Sequence, residues 1–390
     1  MKHVVSSSLG ILMLGALLAA CNEDTTETQP EPEPEPEPEC VANADCTDAS
    51  KPYCEPDLEA CDVAPAGGAI GWGDGSSGSV TFTKILSDNG LREPTDLAFH
   101  PDRPEIWVVN HKDDSVVVIT NPGDEAQTSE RYYDEAAMHF MHKPPALAFG
   151  AANTWATCGD GDNGGDDFMG PALFTADLSI FAKSTPGGLG SHLDMLHSTS
   201  FCRGIAHEAD NVYWVFNSDK ASIDRYDFHA DHGPGNDDHS DGEIYRYAKG
   251  AVAGADGIPS HVFFLDGMLY IADTGNKRIA KLDPSTATMG TTFGGFEPVT
   301  RRNMEGAVVT DVVPAGTLEA PSGIEIHDGV IYVSDSAQGR FYAFDMEGTL
   351  LRTLDTGAAP GSLAGMAFGP DGKLYFTDVV GSTVYRIDPR

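Results

Sequence analysis

One pattern recurs six times along this 390-residue chain, and it limits what the chain can build. Its clearest copy is GIPSHVFFLDGMLYIADTGNKRIAKLD, from Gly257 to Asp283. A short apolar strand, Ser260 to Phe264, runs into the turn pair Asp266-Gly267. Met268 to Ala272 reads as a second strand, Asp273 to Asn276 as a turn, and Arg278 to Leu282 as a third strand. Related stretches begin at Glu93, Lys143, Phe201, Glu319 and Ser362. The first strands start about 54 residues apart on average, which suits a four-stranded blade with insertions. One such sheet cannot bury both of its faces, so every copy needs a neighbour on each side. The expected fold is all-β, a six-bladed β-propeller over residues 70–390.

The sixth copy supplies strands at Ala364 to Phe368, Lys373 to Thr377 and Thr383 to Asp388, one short of a full blade. Gly78 to Leu86, GSVTFTKIL, alternates apolar and polar residues and lies just before the first copy. It is expected to be the fourth strand of the last blade, joining the first blade to the last and removing an open edge.

The repeats resemble the NHL family. The likeness rests on the proline-led strand in APSGIEI, the Asp-Gly turns of FLDGMLY and IHDGVIY, and the segment YIADTGNKRI. It implies a propeller and leaves activity open, because propellers host many functions. The chain is also similar to the peptidyl-α-hydroxyglycine amidating lyases, six-bladed propellers with zinc on channel-mouth histidines that follow a strand-opening proline. The slots matching those ligands are Thr95, Pro145, Arg203, Ser260, Ser322 and Ala364, with His261 displaced by one residue. That resemblance therefore implies the fold and no zinc ligand. Gluconolactonase-like propellers hold calcium on carboxylates at similar mouths, and Asp96 is the carboxylate at such a position here.

The N-terminus reads as a targeting segment. Lys2 and His3 precede an apolar run from Gly10 to Ala20, which is short for a membrane span. The ending Leu18-Ala-Ala-Cys21 resembles the lipobox of bacterial lipoproteins. The resemblance implies a signal peptide over 1–20, acylation of Cys21, and anchoring in the cell envelope, with Asn22 favouring the outer membrane. Residues 21–39 carry alternating Pro and Glu, which favours an extended tether of roughly 50 Å. Cys40, Cys46, Cys54 and Cys61 follow in a segment spanning 40–64. Their spacing is too wide for zinc knuckles, and an oxidising compartment favours two disulfides of open connectivity. Cys158 and Cys202 fall at same-face strand ends of adjacent blades, where a third disulfide is expected.

Net charge is −36, from 24 basic and 60 acidic side chains. Such a surface repels phosphate backbones, which excludes nucleic acid as a partner, and suits cations and solubility. Nine of the thirteen histidines fall between His139 and His261. Up-and-down connectivity puts inner-strand starts and second-to-third turns on one face. His111, His142, His192, His197 and His261 are placed there as candidate ligands for zinc or copper, His192 and His197 in blade-joining segments. Arg203 and Asp96 are candidate catalytic groups beside them, the arginine to hold an anion and the aspartate to orient a water. The opposite face carries the loop DFHADHGPGNDDHSDGE, Asp227 to Glu243, and a second candidate metal cluster of His207, His229, His232 and His239. Asp160 to Asp167, DGDNGGDD, is a candidate calcium loop that departs from the EF-hand pattern. No nucleophile-elbow, Walker or dinucleotide-binding motif is present. Three functions fit the sequence: an anchored propeller binding a protein, glycan or small molecule on one face; a metal-dependent lyase or hydrolase; and a structural envelope lipoprotein.

Overall fold

The computed structural model describes residues 38–41, 45–48, 50–55, 59–162, 165, 168–236 and 238–390. The signal segment, Cys21 and nearly all of the tether lie outside the described residues. Among the described residues no helix is long and apolar enough to cross a membrane.

Six four-stranded antiparallel blades follow one another around a ring. Their innermost strands are Pro94–Phe99, Leu147–Phe149, Cys202–Ala209, Val262–Leu265, Pro321–His327 and Leu363–Phe368. The turn signals hold: Asp266 and Gly267 both take positive φ (50° and 78°), as a primed hairpin turn requires. Strands inside a blade face apolar neighbours on both sides and read as unbroken apolar runs. Ser115–Thr120, SVVVIT, is buried at five of its six positions. The outer strand Thr128–Tyr133 is mostly exposed and correspondingly polar.

Each interface between blades contains its own apolar cluster. Blades one and two lock through Trp107, Trp155, Phe174 and Phe181, and blades three and four through Trp214, Phe216, Leu269 and Ile271. Every such fully buried side chain contributes roughly 1.5–3 kcal/mol. The aspartate of the ADTGN segment braces this stack. Asp273 accepts from the Ala253 amide (2.7 Å) and from Arg278 Nε (2.7 Å), tying the incoming chain to the end of the second strand. Asn110 and Asp335 do the same in their blades, accepting from Arg92 N and Glu319 N.

Val80–Ser87 is the outer strand of blade six and pairs antiparallel with Thr383–Pro389. The disulfide Cys158–Cys202 joins blades two and three, and the N-terminal pairs are Cys40–Cys54 and Cys46–Cys61 around the hairpin Tyr53–Glu55 with Ala60–Asp62. Two features depart from the repeat. The fourth strand of blade two is only Asp194–Met195, so His192 and His197 flank an outer strand where the sequence had suggested a plain blade-joining segment. Blade four sends out a hairpin, Thr288–Thr292 with Thr300–Glu305, whose second strand adds in parallel to Glu243–Tyr247 of blade three.

Candidate functional site

The inner strands begin with a recurring irregularity. Register shifts fall between Pro94 and Asp96, Cys202 and Gly204, Pro321 and Ile324, and Leu363 and Met366. A bulge re-aims the side chain that follows it. At the corresponding place the six blades carry Asp96, Ala146, Gly204, His261, Gly323 and Gly365. Four small residues thus leave room for one aspartate and one histidine. A Cβ on Gly365 would collide with Asp96 Oδ1 and His261 Cε1, and one on Gly204 would collide with the Ser260 carbonyl. Glycine is required here by close approach.

His261 closes this end of the channel. It starts from blade four, donates its amide to Ser322 O of blade five (2.9 Å), and reaches Pro145 O of blade two with Nε2 (3.2 Å). A carbonyl only accepts, so Nε2 carries the proton and Nδ1 faces Asp96 Oδ1 of blade one at 3.6 Å. Asp96 Oδ2 accepts from Leu147 N at 2.9 Å. Burial pushes the Asp96 carboxyl up to about 6, with His261 opposing the rise.

Beyond this pair a cavity of about 380 Å³ runs down the channel, with walls from all six inner strands. Leu147, Ile205, Val262 and Met366 supply apolar surface, His207 and His261 supply polar groups, and Phe99, Phe264 and Phe368 add aromatic rings. Glu325 projects into it. Burial and the neighbouring Asp96 charge both hold the Glu325 carboxyl well above the usual carboxylate range. Sequence reasoning missed Glu325. The available signal was a lone acid between two isoleucines on an inner strand, Ile324-Glu325-Ile326.

The remaining candidates fall in separate places. His111 Nε2 faces Asp160 Oδ2 (3.5 Å), close to His142, whose imidazole burial holds below its usual range. Arg203 is spent on the same Asp160 and on Asp256, so its guanidinium is not directed at the cavity. His197 bonds to Glu297 and neighbours His139. His111, His197 and His261 thus have separate partners, and among the described residues no candidate ligand group contains any of them. His192 is fully buried, stacked on Phe140, with Nδ1 donating to Leu189 O (2.8 Å). Burial depresses both it and His139 to about 4.

The loop of blade three is divided as well. His207 lines the channel and bonds to Asp210 O. His229 lies between Asp227 and Glu243. His232 and His239 both face Asp194 on the outer strand of blade two. Of the candidate calcium loop, Asp160 is engaged as above, Asp162 accepts from Ser200 Oγ (3.3 Å), and residues 163, 164, 166 and 167 lie outside the described residues.

No protein-family model matches the chain, and no curated protein matches its sequence. Solved structures do match its fold. An auxiliary nutrient binding protein from Bacteroides thetaiotaomicron aligns with a TM-score of 0.54 at 11% identity, covering 79% of this chain and 76% of that one. An auxiliary nutrient binding protein from Bacteroides ovatus aligns at 0.51 and 13%, covering 82% and 76%. The chain is a six-bladed β-propeller. A virginiamycin B lyase from Staphylococcus aureus superposes at 0.48 and 11% identity, covering 80% and 100%. At these identities the likeness is one of fold.

The raised Asp96 pKa has a consequence for stability. The folded protein holds this proton more tightly than the unfolded chain does. The stabilisation is complete below about pH 4 and is lost as pH rises through about 6, a swing of roughly 3 kcal/mol. Asp96→Asn keeps an acceptor for Leu147 N and removes the titration. Urea unfolding should therefore show the variant gaining on wild type by up to ~3 kcal/mol between pH 4 and pH 7.5; parallel pH profiles would refute the assignment.

Proposed function

We propose that this protein is a lipid-anchored, extracytoplasmic propeller that binds a small organic cation in its central channel. The observation that carries the reading is the pair of carboxyl groups, Asp96 buried and Glu325 half-buried, in a partly aromatic cavity where both are shifted toward their protonated forms. Holding two acids in a confined channel is unfavourable to the empty protein, and perturbed acids in a concave site are candidates for a functional one. An ammonium group placed between them restores the interaction that water supplied in the unfolded chain. The rings of Phe99, Phe264 and Phe368 suit the apolar body or the face of such a cation. The net charge of −36 raises the local concentration of cations around the molecule. Two fold neighbours are described as nutrient binding proteins, and a binding role of that type is what this channel offers the present chain. The lipobox-like Leu18 to Cys21 and the Pro-Glu tether support attachment to the envelope, with the propeller held off the membrane.

Calorimetric titration with n-butylamine and benzyltrimethylammonium tests the channel. Binding near pH 6 should release protons, because a bound cation favours the ionised form of Asp96, and Glu325→Gln and Asp96→Asn should each weaken it at least about tenfold. Binding indifferent to both substitutions, or no binding of either probe, would overturn the reading. Cys21→Ser should abolish incorporation of labelled fatty acid and release the protein from membranes; unchanged labelling would refute the anchor.

A further inference from the structure

A second site lies on the outer flank of the ring, where the loop after Asp227 in blade three covers the two-residue strand Asp194–Met195 of blade two. Asp194 is fully buried. Its Oδ1 is committed, accepting from Met195 N (2.6 Å) and from His239 Nδ1 (2.5 Å). Its Oδ2 is buried with no hydrogen-bond partner. His232 Nδ1, also buried without a hydrogen-bond partner, lies 3.6 Å from that oxygen. The other nitrogen, Nε2, faces Asp241 Oδ1 at 3.5 Å. One ligand atom from each of Asp194, His232 and Asp241 lies within 4.8 Å of the others.

Two orphaned buried atoms facing each other are costly unless something joins them. At 3.6 Å they are too far apart for a hydrogen bond. The gap is close to the edge of a tetrahedron of ligands at ~2.0–2.1 Å from a zinc-sized ion, which is about 3.3–3.4 Å. We propose that Asp194, His232 and Asp241 form a binding site for a zinc-like divalent cation that clips the blade-three loop to blade two. Asp194 Oδ2 and His232 Nδ1 are the ligands, and His239 fixes the Asp194 carboxylate by its other oxygen. Asp241 completes the shell or holds the far nitrogen of His232, the carboxylate–histidine arrangement that orients metal-bound imidazoles. Imidazole ligation selects zinc over calcium, which takes six to eight oxygens. The site is remote from Asp96 and Glu325 and does not depend on the channel's ligand.

The test uses the protein after EDTA treatment and dialysis, titrated with zinc chloride and, in parallel, with calcium chloride. One equivalent of zinc should bind in preference to calcium and raise the melting temperature. His232→Ala should abolish both effects, and Asp241→Asn should weaken binding about tenfold or more. His229→Ala, in the neighbouring Asp227–Glu243 group, should bind zinc like wild type. Asp241→Asn is on an exposed part of the loop and serves where His232→Ala disturbs folding, as read from melting in EDTA. Absence of zinc binding, equal binding by His232→Ala and Asp241→Asn, or loss in His229→Ala alone would overturn the proposal.

Discussion

The pairing of Val80–Ser87 with Thr383–Pro389 is the contact on which the rest of the ring depends. It joins segments some three hundred residues apart and gives the last blade its outer strand. The strand packs both ways: Val80 belongs to the cluster between blades five and six, and Ile85 and Leu86 to the one between blades six and one. Thr83 and Lys373 both bond to Asp388, and Ser87 Oγ meets Thr383 Oγ1 at 2.9 Å. The cost of closing so long a loop grows only logarithmically with its length, so a single well-packed strand can offset it. Closure also covers the edge that Thr383–Pro389 would otherwise expose.

A closed ring fixes the channel radius, and the radius dictates the chemistry. Six inner strands meet closely enough that Gly204, Gly323 and Gly365 admit no side chain. The space they leave is filled by His261, which spans from blade four to the carbonyl of Pro145 and the carboxylate of Asp96. The same convergence restricts water around Asp96 and Glu325, and the upward shift of both carboxyl groups follows from it. Ring closure, channel plug and perturbed acids are thus successive consequences of one geometry.

Much of this was legible in the sequence because propeller blades are built from local signals. Asp-Gly turns, apolar alternation and the repeat spacing located the inner strands, and GSVTFTKIL stood out as a strand without a blade. The disulfide Cys158–Cys202 followed from strand ends of adjacent blades. The failures have a common cause: contacts between elements that no local pattern encodes. Two residues, Asp194–Met195, are too few to show alternation, so from sequence the histidines beside them read as part of a connecting segment. The parallel docking of Thr300–Glu305 on blade three is invisible to any reading of blade four alone. Which histidines meet depends on where the bulges aim side chains. Asp96 and His261 were both singled out, but their meeting across the ring, with Glu325 further down the same wall, required the closed structure.

Native-state hydrogen exchange tests the closure account most directly. If the N-terminal strand is an integral member of the last blade, the amides of Val80–Ser87 that pair with Thr383–Pro389 should open with the same free energy as the central strands of blade six, since their loss opens the ring. Exchange of those amides by local fraying, orders of magnitude faster than exchange in Leu374–Asp378, would show that the ring holds without the clasp and would contradict the account.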